Sequence, residues 1–331
     1  MSRKKIYVRD ISAGNILEKE PFVVRNIVES RDIVTMSLAD NSGEIVATIS
    51  ADNSEMVRII KEHVNGVLNI SGPVVPRAGC VLEAEVKVRD VAVCVDFIPK
   101  ELFGGISDET KERYIVGIKN LISKFTHSAY KALVEACLTD DVLEKLAKLP
   151  ATHSFYGLYL GGALASTFTV ATMVHYGAVA YYNGKNNLYD NTPNVDLLVA
   201  TALLYHVGRI EYYDEVEPFK KSMKGVILNY YPLLQSLIEQ KVREHEIVFE
   251  GDDLLILLNA LSVIGRSSSR SVSKEGAFVR NMVILYGECD SFDSFVANNM
   301  ADLEGNYIYS QKDNRYFLAG NGNTNPGMTT Q

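Results

Sequence analysis

Along the first hundred positions apolar residues fall in short runs broken by turn chemistry; after that they recur at the helical period. The stretch PFVVRNIVESRDIVTMSLADNSGEIVATIS holds three strand-like runs. Its DNSGE segment, Asp40–Glu44, joins the second and third and has the Asn-Ser-Gly chemistry of a tight hairpin. NSEMVRIIKEHV predicts a short amphipathic helix with Ser54 as its N-cap. Two further runs follow, GVLNISGPVVPRAG and CVLEAEVKVRDVAVC. In the second, Val81, Glu83, Glu85 and Lys87 alternate with Leu82, Ala84, Val86 and Val88. Five short strands with a helix before the fourth predict a small Greek-key barrel of the OB type over residues 1–100.

Residues 101–150 read as a helical connector. SDETKERYIVGIKNLISKF opens on Asp108 and Glu109, which suit a helix N-terminus, and SAYKALVEACLTDDVLEKLAKLP runs to a stop at Pro150. From 151 to 310 helical spacing dominates: GALASTFTVATMVHYGAVAYY, NVDLLVATALLYHVG, KGVILNYYPLLQSLIEQKVREH, GDDLLILLNALSVIG and AFVRNMVILYGECDSFDSFVANNM. Residues 311–331 end in AGNGNTNPGMTTQ, a composition expected of a flexible tail. The predicted fold class is α+β in two domains, an N-terminal OB-type β-barrel followed by an all-α helical bundle.

Composition narrows the function. The 331 residues are 47% hydrophobic and 22% charged, enough apolar surface for two cores. A net charge of −8 argues against bulk electrostatic capture of nucleic acid or anionic membrane and leaves room for a local basic groove. Cys80, Cys94, Cys137 and Cys289 are far apart without zinc spacing, as expected of reduced intracellular thiols. No apolar run follows MSRKKIYVRD, and polar residues are expected to interrupt the apolar helices before membrane-spanning length. The expectation is a cytoplasmic protein with no membrane partner. The Gly161–Gly162 pair lacks the strand-loop-helix setting of a phosphate fingerprint and reads as close helix packing.

Behind the OB-type domain, LPATHSFYGLYLGGALAST, DLLVATALLYHVGRIE, KGVI, LNALSVIG and CDSFDS come in an order that resembles the YhaM family of 3′–5′ exoribonucleases. In that family an OB fold precedes an HD domain, a helical metal-dependent phosphohydrolase fold. The resemblance implies the same plan here, with an HD-like bundle over residues 151–310. A family helix like HHxxxGGLLEHT keeps its framework as Gly161, Gly162 and Thr167, while its histidine positions fall on Tyr156, Gly157 and Ser166. The family's LLHDIGK becomes Leu203, Leu204, Tyr205, His206, Val207, Gly208, Arg209, so Tyr205 takes the His position and His206 the Asp position. GHI becomes Gly225, Val226, Ile227, and SHHG becomes Ser262, Val263, Ile264, Gly265. The closing DxxDA is similar to Asp290, Ser291, Phe292, Asp293, Ser294.

The chemistry makes these replacements decisive. HD enzymes hold divalent ions with imidazoles and carboxylates, which polarise the phosphate and generate hydroxide. Such a site needs at least three nitrogen or oxygen ligands. Of the positions Ser166, Tyr205, His206, Val226, Val263 and Asp290, only His206 and Asp290 are strong ligands. No catalytic residue and no cofactor are therefore expected, with Val226, Val263 and Ile264 refilling the pocket. Mn or Mg enters only in an alternative, an active exoribonuclease or phosphodiesterase with a rearranged site built from His206, Asp290 and His153. Otherwise His206 reads as a hydrogen-bonded core histidine. The Tyr pairs in AYY, EYY and NYY read as half-buried packing with a polar tip.

The expected function is a catalytically inactive relative retained as a binding or assembly module, for single-stranded RNA or DNA. Arg25, Arg31, Arg77, Arg266, Arg270 and Lys274 are the candidate phosphate contacts. Phe22 is the aromatic that residues 22–50 offer for stacking. A homo-oligomer is what the family's tendency implies, and a protein-interaction or structural role is the remaining alternative.

Overall fold

The computed structural model describes residues 4–77, 84–152, 156–183, 194–215, 219–264, 273–298, 307–310 and 315–318. Its first part is a sheet that closes on itself. β1 (Ile16–Glu29) pairs with β2 (Ile33–Asp40), and β2 pairs with β3 (Gly43–Ser50), both antiparallel. β3 runs parallel to β5 (Ala84–Lys87), β5 pairs with β4 (Val67–Pro76), and β4 returns to β1. A helix, α1 (Ser54–Glu62), lies between β3 and β4 in the chain. This five-stranded ring is the OB-like barrel that the alternation predicts. β6 (Asp90–Val93) pairs with β4 outside the ring.

β1 can serve two neighbours because its 14 residues bend. Register shifts fall between Leu17 and Glu20 and between Arg25 and Val28, where Lys19 and Asn26 adopt positive φ. Phe22, Val24, Met36, Leu38, Ala47, Ile49, Leu68, Ile70 and Val86 fill the interior, and Val57 and Ile60 of α1 join the same core. Ser54 is the first helical residue rather than the cap: Asn53 occupies that position, with no side-chain capping bond.

The hairpin turn is tied to the N-terminal segment through one buried carboxylate. Asp40 Oδ1 accepts from Ser42 N at 2.8 Å and Ser42 Oγ at 2.6 Å, closing the predicted turn. Asp40 Oδ2 accepts from Val8 N at 2.9 Å and lies 3.5 Å from Lys4 Nζ. Lys4 is only 4% exposed. Its Nζ donates to the Pro21 carbonyl at 2.5 Å and stands 3.3 Å from the Phe22 ring centroid. Burial lowers the Lys4 pKa to about 8, against the opposing pull of Asp40 and Glu20.

The second part is helical. α2 (Pro99–Phe103), α3 (Asp108–Ile122), α4 (Ser128–Cys137) and α5 (Asp140–Leu146) lead into α6 (Gly162–Asn183) and α7 (Val195–Leu204). α8 (Arg209–Tyr212), α9 (Met223–Leu228), α10 (Tyr230–Glu244), α11 (Asp253–Ile264) and α12 (Lys274–Asn298) follow. α7 is the axis, with Leu197 through Leu204 all buried against α4, α6, α11 and α12. Asn194 caps it, and Asp196 pins the turn before α4 by accepting from Thr126 N at 2.7 Å and His127 N at 2.6 Å.

Three expectations change. α6 runs 22 residues without interruption and by length and composition alone would cross a bilayer; half of that span is buried here, packed on α3, α7 and α12. KGVILNYYPLLQSLIEQKVREH is two helices, because Asn229 sits at φ 65 between α9 and α10 and the left-handed backbone breaks the ladder. Within the predicted tail, β8 (Arg315–Leu318) pairs with β7 (Tyr307–Ser310); the rest of that stretch lies outside the described residues.

Barrel and bundle meet through aromatic stacking. Phe103 of α2 lies 4.0 Å from Phe219, centroid to centroid, with planes 7° apart. Val23, Ala39, Val67 and Leu102 complete this cluster, and a parallel bridge joins Gly105 to Leu160 beside it.

Two outcomes follow from the Lys4–Asp40 pair. Asp40→Ala leaves a buried ammonium without its counter-charge and the Val8 and Ser42 donors unmet, so urea denaturation is expected to show a loss of about 3–5 kcal/mol. The folded pKa of Lys4, about 8, lies below the reference 10.5, so the unfolded chain binds more protons in that window and the Lys4 contribution rises with pH. Wild-type stability relative to Lys4→Met should therefore be lowest below pH 8 and climb toward pH 10.5 by at most about 3 kcal/mol.

Candidate functional site in the helical bundle

After α7 the chain does not run straight into α8. Tyr205 to Gly208 form a tight turn, with Val207 N donating to Leu204 O at 3.0 Å and Arg209 N to His206 O at 2.9 Å. Gly208 is required there by space. A Cβ on it would meet Leu234 Cβ at 2.9 Å and the Tyr230 ring at 3.1 Å, so glycine lets α10 lie directly on the turn. That contact brings Tyr230 over Arg209.

Three hydroxyls meet in the core beside this turn. Tyr205 OH lies 3.0 Å from Tyr156 OH and 2.7 Å from Ser166 Oγ. All three residues are buried, and burial raises the pKa of both tyrosines, so the hydroxyls stay neutral. These are positions where the family resemblance calls for histidines. Asp290, on α12, is close by. Its Oδ2 accepts from Gly157 N at 2.8 Å, and Oδ1 lies 3.4 Å from the Tyr159 and Tyr286 hydroxyls. The Tyr286 ring packs edge-on against Tyr156, 5.5 Å between centroids.

A second set of polar groups near Tyr205 is not matched. His206 is fully buried with its ring 3.8 Å from that of Tyr205, and neither ring nitrogen has a hydrogen-bond partner among the described residues. It is a core histidine, as expected, but not a hydrogen-bonded one. Burial first, and Arg209 second, push its pKa well down, so the imidazole is neutral. The Arg209 guanidinium carbon lies 4.2 Å from the Tyr230 centroid, 5.2 Å from Tyr212 and 5.7 Å from Tyr213. Arg209 Nε and the Tyr230 hydroxyl are buried without a partner among the described residues. Burial pushes Tyr213 up to about 12, against the opposing pull of Arg209, with which its hydroxyl interacts.

The predicted site residues divide. Tyr205, Ser166 and Asp290 come into one neighbourhood, and Val263 is buried in the same core. Val226 does not refill the pocket: it is 65% exposed, because Gly225 is the α9 residue that faces α8, where a Cβ would lie 2.2 Å from the Tyr212 carbonyl. His153, Arg266 and Arg270 lie outside the described residues. Among the described residues no three His, Cys, Asp or Glu side chains gather, His206 sits beside a guanidinium, and Asp290 is engaged by a backbone N–H. His206 and Asp290 as placed do not come together as ligands of one divalent ion.

On the barrel, Arg25 pairs with Glu44 at 3.0 Å, Arg31 is exposed and Arg77 is half-buried. Lys274 stands 3.9 Å from Glu275 on the bundle. Phe22 is fully buried beneath Lys4 and presents no stacking surface. Of the tyrosine pairs, Tyr231 fits the packing reading, donating to Leu258 O at 2.8 Å, whereas Tyr212 and Tyr213 are buried outright. Sequence reasoning passed over Arg209, Tyr213 and Tyr230. The available signal was an arginine set among three tyrosines at the end of an apolar helix, in YHVGRIEYY.

No family model matches the chain, and no curated protein matches it. Among solved structures it is similar to RecG bound to a three-way DNA junction, with TM-score 0.24 and 14% identity over 56% of this chain and 26% of that one. It is also similar to a putative aspartyl-tRNA synthetase from Leishmania major Friedlin, TM-score 0.19 and 12% identity over 52% of this chain and 30% of that one. The aspartyl tRNA synthetase from Entamoeba histolytica gives 0.22 and 12%, over 54% of this chain and 37% of that one. The chain spans well under half the length of these proteins, and similarity at this level carries no argument about function.

Tyr205→Phe keeps the ring and removes the central hydroxyl, leaving Ser166 Oγ and Tyr156 OH without their shared partner. A loss of about 1–3 kcal/mol in chemical denaturation is expected, with the fold retained.

Proposed function

We propose that this chain is a non-hydrolytic relative of the YhaM plan, an HD-like bundle without its metal chemistry, kept as a module that binds single-stranded RNA or DNA. The observation that carries the reading is the Tyr156–Tyr205–Ser166 hydroxyl chain. Where the resemblance calls for imidazoles, neutral hydroxyls satisfy one another in a dry core, and a cation there would have to break them apart.

The barrel supports the binding half of the reading through its form and through Arg25, Arg31 and Arg89 on its surface. Lys87 adds a cation on β5, bonded to Thr48 Oγ1 at 3.0 Å and paired with Glu85. The five ring strands offer no exposed aromatic, since Phe22 is buried. Binding through such a face rests on phosphate contacts, tolerates sequence and falls with salt. The assembly reading draws on a separate observation: α9 exposes Met223, Val226 and Ile227 at 75%, 65% and 70%.

With labelled single-stranded RNA and added manganese, no shortening of the strand is expected. At low salt the same strand should be retarded, and Arg25→Ala with Arg31→Ala should weaken retention uniformly across sequences. Manganese-dependent trimming that Asp290→Ala abolishes would overturn the non-hydrolytic reading. Absence of any low-salt binding would leave assembly as the role.

A further inference from the structure

The bundle core holds a second polar group that the hydroxyl chain does not use. Arg209 Nε, Tyr230 OH and both ring nitrogens of His206 are buried without a hydrogen-bond partner among the described residues, and Tyr213 OH interacts with Arg209. They belong to one place. The Arg209 guanidinium lies against the Tyr230 and Tyr213 rings, and His206 precedes it by one tight turn. Buried polar atoms are nearly always paired, so four orphans at and beside one cation mark a place that needs a guest.

Their chemistry selects the guest. A guanidinium N–H and tyrosine hydroxyls donate, and a neutral imidazole donates from one nitrogen. No carboxylate forms an ion pair with Arg209 among the described residues. Aromatic faces soften that charge without accepting a hydrogen bond in its plane. The matching species is small, anionic and rich in acceptors. Arg209 and Tyr230 are half-buried as whole residues, at the α8 and α10 borders of this core.

We infer that Arg209, Tyr213, Tyr230 and His206 form a binding site for a small phosphate-type oxyanion, held by the protein alone without a metal. The assignment rests on the metal-free reading of this bundle, and it concerns polar atoms that the Tyr156–Tyr205–Ser166 chain leaves unmatched. The guanidinium meets the charge, the tyrosine hydroxyls converge on the remaining oxygens, and the glycine contact of Gly208 with α10 holds Tyr230 in place.

The test is isothermal titration of the full chain with inorganic phosphate, in EDTA, at constant ionic strength set with chloride. Saturable binding is expected, lost in Arg209→Met and weakened about ten-fold in Tyr230→Phe and in Tyr213→Phe. The two phenylalanine variants keep the packing and hold the test open should Arg209→Met fail to fold. Displacement of phosphate by a nucleoside monophosphate but not by the nucleoside would place a nucleotide's phosphate in the site. Binding without such displacement would place free phosphate there. No saturable binding, or binding equal in wild type, Tyr230→Phe and Tyr213→Phe, overturns the site. Because EDTA is present, this result is independent of whether manganese-dependent cleavage is found.

Discussion

A guanidinium withdrawn from water, with no carboxylate paired to it among the described residues, constrains the groups packed around it. Arg209 begins α8 at the end of the most buried helix of the bundle, and its surroundings answer that constraint with aromatic faces. Tyr212 and Tyr213 come from its own segment, and Tyr230 from α10. Tyr230 reaches it only because Gly208 lets α10 close on the turn. Burial, with the positive charge second, keeps the nearby His206 imidazole neutral.

The barrel solves a similar problem differently. Lys4 is as buried as any core residue, but it has Asp40, Glu20 and a backbone carbonyl around it. That pairing ties the N-terminal segment to the β2–β3 turn. Glu101, accepting from Lys4 N at 2.9 Å, extends the tie to α2. From there the Phe103–Phe219 stack reaches the bundle. The two cores are therefore joined by a buried polar network on one side and an aromatic pair on the other.

Much of this plan was legible in the sequence because it rests on local rules. Period-2 alternation and the DNSGE turn predict the strands, and the helix before the fourth strand orders them into the ring. The apolar run of residues 197–204 announces a helix buried on all sides. What was illegible depends on which residues meet in space. Lys4 sits in a basic stretch that reads as solvated, and only tertiary contact makes it a core residue. Asn229 breaks a segment whose apolar spacing continues across it, since one left-handed residue leaves periodicity unchanged. Val226 reads as buried by analogy with a ligand position, but the helix face is set by Gly225 and its contact with the Tyr212 carbonyl. The resemblance named Ser166, Tyr205 and His206 as substituted positions; it had no means of separating the matched polar groups near Tyr205 from the unmatched ones.

That contrast is the strongest feature of the bundle. Two sets of polar side chains neighbour one buried tyrosine, Tyr205. The Ser166 and Tyr156 set is complete: each hydroxyl has a partner, and the group behaves as interior packing. If the bundle were ordinary packing throughout, the second set would be expected to be matched in the same way, since an unsatisfied buried donor costs about 1–3 kcal/mol. Instead Arg209 Nε, the His206 ring nitrogens and Tyr230 OH have no hydrogen-bond partner among the described residues. Replacing either aromatic group by phenylalanine or leucine would remove that cost at little loss of packing. A sequence that keeps the cost at several positions around one cation is paying for something the folded chain alone does not provide, and a bound oxyanion is the species that returns it.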